Sequence, residues 1–215
     1  MEAHAHEAVH WPTRRGSVAA TTVIRVGALA AIVGGIVMAV WQMVVAAIAQ
    51  QPTAVPGIHQ TLWTPPEGIW SVAFGVHHFH GDFHFIPVFG GIAGHMMNSL
   101  VLGLVGVVLL TAILGRQPHP AAAVILGVGY GIAVQAILIS AIINTQKIQT
   151  LYSSTPHWSW FVGHRIFGLT LGMLTGVLLR RGQTPSRLRQ CRPRADHPAG
   201  IPQLTTWKAF CGGRT

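Results

Sequence analysis

The stretch "VGALAAIVGGIVMAVWQMVVAAIA", residues 26–49, contains no charged side chain. A helix needs about 20 apolar residues to cross a hydrocarbon core about 30 Å thick, so this run is long enough to span a bilayer. Three further runs read the same way: "PVFGGIAGHMMNSLVLGLVGVVLLTAIL" (87–114), "AAAVILGVGYGIAVQAILISAIIN" (121–144) and "WSWFVGHRIFGLTLGMLTGVLL" (158–179), the last interrupted by Arg165. Of the 215 residues only 9% are charged, and mean hydropathy is +0.47. A soluble domain carries about a quarter charged residues. The expected fold is therefore an all-α membrane protein of four transmembrane helices, built over residues 18–181.

Charge placement sets the expected orientation. Arg14, Arg15 and Arg25 precede the first span, Arg116 separates the second and third, and Arg180, Arg181, Arg187, Arg189, Arg192 and Arg194 follow the fourth. The loop at 50–83 has no Lys or Arg, and 145–157 has only Lys147. The positive-inside rule then puts both termini in the cytoplasm and those two loops outside. Residues 1–17 and 182–215 lack apolar periodicity and read as disordered ends. The basic tail reads as a topology anchor touching anionic lipid, with no nucleic-acid partner implied. Cys191 and Cys211 fall in that tail as free thiols, with no Cys-x-x-Cys spacing. "AIA" (47–49) resembles a signal cleavage site, but the apolar run before it is long for a signal peptide and reads as a retained span.

Within the outer loop, "TPPEGIWSVAFGVHHF" (64–79) has Thr64, Pro65 and Glu67 in capping-box spacing. Ile69, Trp70, Ala73, Phe74 and His77 follow on one helical face, which predicts a short helix at the outer membrane interface.

An internal repeat links two spans. "GHMMNSLVLGLVGVVLL" (94–110) aligns without gaps to "GHRIFGLTLGMLTGVLL" (163–179), pairing Gly94 with Gly163, His95 with His164 and Gly103 with Gly172. Setting Gln42 against Gln135 aligns the first and third spans more weakly. The pattern predicts a tandem duplication of a two-helix hairpin, in parallel rather than inverted orientation. The "GHMMNSLVLGLV" (94–105) and "GHRIFGLTLG" (163–172) segments resemble those of small bacterial inner-membrane proteins of the YagU-like type. Over residues 26–181 that resemblance implies a polytopic protein of the bacterial cytoplasmic membrane with a histidine early in the corresponding spans. It implies no reaction or ligand, and it does not extend to the 77–84 histidines or the tail.

Two constellations could carry chemistry. "GVHHFHGDFHF" (75–85) gathers His77, His78, His80, Asp82 and His84, imidazole and carboxylate groups that suit copper or zinc. His77 and His80 would share a face if the helix continued, and His157 would join them from the fourth span. The alternatives are a polar collar at the membrane boundary and a pH-responsive hinge. The second constellation lies within the spans. Gln42, His95, Gln135 and His164 are expected in one layer in the outer half of the bilayer, with Asn98 and Ser99 one turn below His95 and Arg165 beside them, either as interhelical hydrogen bonds or as a layer binding a metal, a haem or a proton. With five acidic residues in the chain and none in a span core, a carboxylate-based ion carrier is disfavoured. No phosphate-binding loop, nucleophile elbow or His-Glu-x-x-His motif is present.

The readings left open are a metal-binding membrane protein, an accessory subunit of a larger membrane complex or homo-oligomer, and a haem protein ligated by His95 and His164. The cluster at 77–84 is expected to form the mouth of a polar region whose floor is that pair.

Overall fold

The computed structural model describes residues 20–115, 118–142 and 146–181. The expectations for residues 1–17, Arg116, both cysteines and the basic tail lie outside them. The elements in chain order are α1 (Ala20–Ala49), α2 (Thr64–Phe74), a single 3-10 turn (Val76–His78), α3 (Phe85–Leu114), α4 (Pro120–Ile142), α5 (Gln146–Ser153) and α6 (His157–Arg181). Four of these, α1, α3, α4 and α6, are long and apolar enough to cross a membrane. They contain the four predicted runs, apart from the last two positions of the third. The short helix α5 lies in a loop where no element was expected.

Helix α6 sits centrally, packed along both α4 and α1, while α1 also packs along α3. The α3–α4 seam is far sparser. Neighbouring spans run antiparallel: Gly27 meets Leu104 and Val107, Gly35 meets Ser99, Gly34 meets Phe167, and Gly127 meets Gly168 and Gly172. Helices α1 and α4 therefore run one way and α3 and α6 the other, with α2 and α5 together at one end. The α4–α6 contact depends on missing side chains. A Cβ on Gly131 would overlap the His164 carbonyl, and one on Gly168 would overlap the Gly127 carbonyl. Small residues at helix interfaces let backbones approach where no hydrophobic effect drives the helices together.

Large apolar side chains face outward, among them Ile36 and Val40 on α1, Met97 and Val108 on α3, and Ile125 and Ile137 on α4. Inside, Met38, Val107, Phe167 and Leu171 form the core. Such a surface suits lipid. Of the glycine pairs matched in the sequence alignment, one has similar neighbours, while in the other Gly94 lies on Ile69 of α2 and Gly163 on Met38 and Gln42 of α1. Gly103 lies on Ala31, and Gly172 lies on Ala123 and Val124. The offset that carries Gln42 to Gln135 also carries Ala31 to Val124.

Helix α2 forms as expected but with different ends and a different inner face. The capping box does not form. The helix starts at Thr64, Trp63 stands at the N-cap without a side-chain bond, and Thr64 Oγ1 donates to Ser154 O at 2.7 Å. Glu67 turns away from the helix start because two backbone N–H groups of the 80–81 turn compete for it more effectively. The buried face is Thr64, Glu67, Gly68 and Ser71, while Ala73 and Phe74 are exposed. The buried positions of α2 are thus prolines and polar or small residues, while the large apolar Phe74 is exposed. Pro66 rests against Gly91 and Trp70 against Gly90 of α3. On the other side, Gly68 lies against Leu151 and Ser154 at the end of α5, and Gln60 Nε2 donates to Ser153 O at 2.8 Å.

Candidate functional site

The histidine-rich turn does not continue α2. The helix ends at Phe74 because Gly75 takes φ +112°, a conformation that residues with a Cβ rarely adopt. His77 is exposed and on no helical face shared with His80. The histidines fall instead into two close pairs with tilted rings, His77 with His78 at 4.1 Å between ring centroids and His80 with His84 at 4.3 Å. Only the second pair approaches carboxylates. His84 Nδ1 lies 3.2 Å from Asp82 Oδ1 and 3.6 Å from Glu67 Oε1. Among the described residues, no three His, Cys, Asp or Glu side chains are grouped so that they could hold a metal ion.

Glu67, which the sequence pattern placed in a cap, is the organising group of this turn. Its carboxylate is fully buried, and Oε2 accepts the backbone N–H of Gly81 at 2.7 Å and of His80 at 3.0 Å. Oε1 has no hydrogen-bond partner among the described residues. Burial raises the Glu67 pKa above its ordinary 4.5, against the opposing effect of the Gly81 and His80 N–H groups and the nearby His80 and His84. The clue available in the sequence was a lone Glu in an otherwise uncharged helix, thirteen residues before His80.

The second constellation does converge. A cavity of about 710 Å³ lies among α1, α3, α4 and α6, roofed by α2 and α5. Its polar lining includes His95, Asn98 and Ser99 from α3, Gln135 from α4, and His157 and His164 from α6. The rest is mainly apolar, with Ile69 and Val72 of α2 and Leu151 and Tyr152 of α5 in the roof. The lining among the described residues contains no Lys, Arg, Asp or Glu.

Hydrogen bonds set the imidazole tautomers. His164 Nδ1 lies 2.9 Å from Trp160 O, and His95 Nε2 lies 3.1 Å from Gly35 O. A carbonyl only accepts, so each of those nitrogens carries the proton. The other nitrogen in each ring, Nδ1 of His95 and Nε2 of His164, keeps its lone pair. Opposite in character are Gln135 Nε2 and the Tyr152 hydroxyl, the two of five buried donors without partners among the described residues that belong to residues lining the cavity. Burial pushes the Tyr152 hydroxyl above the ordinary tyrosine pKa, so it stays protonated. The Gln135 side chain is close enough to temper that shift without forming a hydrogen bond of normal geometry.

Three residues depart from their expected places. Gln42 is buried between α1 and α6, beside Gly163, and does not reach the cavity. Arg165 is exposed on the outer face of α6, where Nη1 donates to Phe161 O at 2.8 Å and the guanidinium lies 5.9 Å from the Phe161 ring. Its length lets it turn back along its own helix instead of entering the buried layer. His157 lines the cavity and approaches the Tyr152 ring at 5.3 Å, rather than completing the 77–84 cluster. Residues 77–84 are absent from the cavity wall, so they do not form its mouth. Tyr152 was missed because α5 carries no apolar run of membrane length.

No family model, no curated protein and no solved structure matches this chain.

Proposed function

We propose that this protein binds a neutral, largely apolar small molecule within the bilayer, in the cavity between the two hairpins. The carrying observation is the pair of buried, unpartnered donors on Gln135 and Tyr152, residues that line one cavity together with His95 and His164. Buried polar groups without partners are rare enough to require an explanation. A few polar groups in an otherwise apolar cavity of this size are typical of a small-molecule site. The uncharged lining disfavours phosphate or carboxylate groups. Haem ligation by His95 and His164 finds two suitable lone pairs, but no cation in the lining for the propionates.

The positive-inside rule supports a cytoplasmic-membrane location with both termini inside and the α2/α5 end outside. A cysteine-accessibility scan with labels in 50–83 tests that orientation. The binding reading is tested by purifying the full chain in mild detergent, extracting it with organic solvent and identifying the extract by mass spectrometry. A molecule recovered at a fixed ratio from wild type, and lost from a folded His164→Leu variant, is the expected result. Equal recovery from both would overturn the assignment. The same preparation gives a visible spectrum for haem, elemental analysis for copper or zinc at the 77–84 turn, and any co-purifying subunit.

A further inference from the structure

We infer that the head group this cavity recognises is of the quinone class, a flat ring with an oxygen at two ends that is either carbonyl or hydroxyl. The inference rests on the binding reading above and narrows its ligand.

Four polar groups in the wall have a defined sense. Gln135 Nε2 and the Tyr152 hydroxyl are donors in need of an acceptor, which a quinone carbonyl supplies. His95 Nδ1 and His164 Nε2 are acceptors, to which a quinol hydroxyl can donate. These four groups come from α3, α4, α5 and α6, so they surround the chamber instead of sharing one side. A simple alcohol meets them with one oxygen, and an ester or ketone uses only the donors. A molecule with oxygens at both ends of its ring, interconverting between carbonyl and hydroxyl, engages both sets.

Shape agrees with this chemistry. Tyr152 and Trp160 are stacked, with 5.7 Å between ring centroids and 13° between planes, and both line the cavity with Phe167 nearby. Aromatic faces of this kind suit a flat ring. An apolar tail has a route out through the sparse α3–α4 seam, where Asn98 lines the cavity and is also exposed.

The test uses the full-length protein in nanodiscs and two probes with the same tail, a decyl-substituted benzoquinone and decanol. Affinities come from titrations with the quinone held oxidised or chemically reduced. Wild type should bind the quinone in a saturable way, at least about tenfold more tightly than decanol. Tyr152→Phe removes only the hydroxyl, leaves the fold intact, and should weaken the oxidised form more than the reduced form. His164→Leu should show the opposite preference, and His95→Leu serves in its place if that variant does not fold. Decanol binding as well as the quinone would overturn the quinone class while leaving the apolar-ligand reading in place. Equal losses of both redox forms in Tyr152→Phe would also overturn it. Saturable binding of neither probe would overturn the proposed function as well.

Discussion

The histidines of the 75–85 turn are close neighbours in the chain but separate into two pairs in the fold. His95 and His164 belong to different hairpins and share one cavity wall. The difference is one of backbone. A positive φ at Gly75 and another at Gly81 reorient the chain twice within the turn, so sequence proximity there does not become ligand proximity. Within the spans, glycines bring α6 close to α4 and α1, and each imidazole is fixed by a backbone carbonyl. Clustering in space comes from helix packing at the buried pair and is dispersed by turns at the surface cluster.

The largest way to break this comparison is to remove the packing. Gly131→Leu places a side chain against the His164 backbone, where neither helix can yield without separating. Overpacking costs about 1–3 kcal/mol where side chains can adjust, and backbone has less room to do so. The variant is expected to lose its cooperative thermal transition in detergent, or to melt far below wild type. A melting temperature unchanged from wild type would show that the α4–α6 contact does not set the position of His164.

The next effect falls on the turn. Glu67→Ala leaves the His80 and Gly81 N–H groups without their acceptor inside the protein, at a cost of about 3 kcal/mol. Glu67→Gln keeps an oxygen for both bonds, and its stability at neutral pH should stay within about 1 kcal/mol of wild type. Denaturation midpoints of the two variants check this. If both lose stability equally, the charge of Glu67 matters more than its hydrogen bonds.

How much of this was legible differs between the two regions for the same physical reason. The four long apolar helices follow from apolar length, and the nearness of His95 to His164 from the matched Gly-His segments, which are local properties of the chain. Gln135, read as part of the same layer, lines the cavity with them. Arg165 does not, because the direction of a long side chain depends on which face of α6 is buried. Glu67 was misassigned because capping-box spacing describes a helix start and ignores a competing turn brought in from thirteen residues away. Tyr152 depended on α5, whose docking under α2 is a tertiary fact.

A subtler test uses pH. Burial raises the pKa of Glu67 in the folded protein, so the folded state holds this proton to higher pH than the unfolded chain does. Its contribution to stability is fully present below the unfolded carboxylate value of 4.5 and is lost as pH rises through the raised folded value. Wild type should therefore lose stability relative to Glu67→Gln as pH increases from acid toward neutral. Taking the difference between the two proteins cancels the titration of groups that behave alike in both. A difference that grows in the other direction would mean that the turn holds Glu67 ionised, with its N–H donors outweighing burial.

The smallest expected effect sharpens the contrast most. The His77 and His78 rings lie tilted against one another, and neither is in contact with a carboxylate among the described residues. His77 is exposed, while His78 also approaches the Trp70 ring edge at 6.4 Å. Exposed substitutions away from caps, buried charges and strained backbone usually change stability by no more than about 0.5 kcal/mol. The double variant His77→Ala/His78→Ala should therefore match wild type in thermal stability and in ligand recovery from the cavity, although it removes half of the four-histidine cluster. A fall in bound copper or zinc in that variant, at unchanged stability, would instead make the first pair the chemically active one. It would show that the turn rearranges to bring its histidines together around an ion.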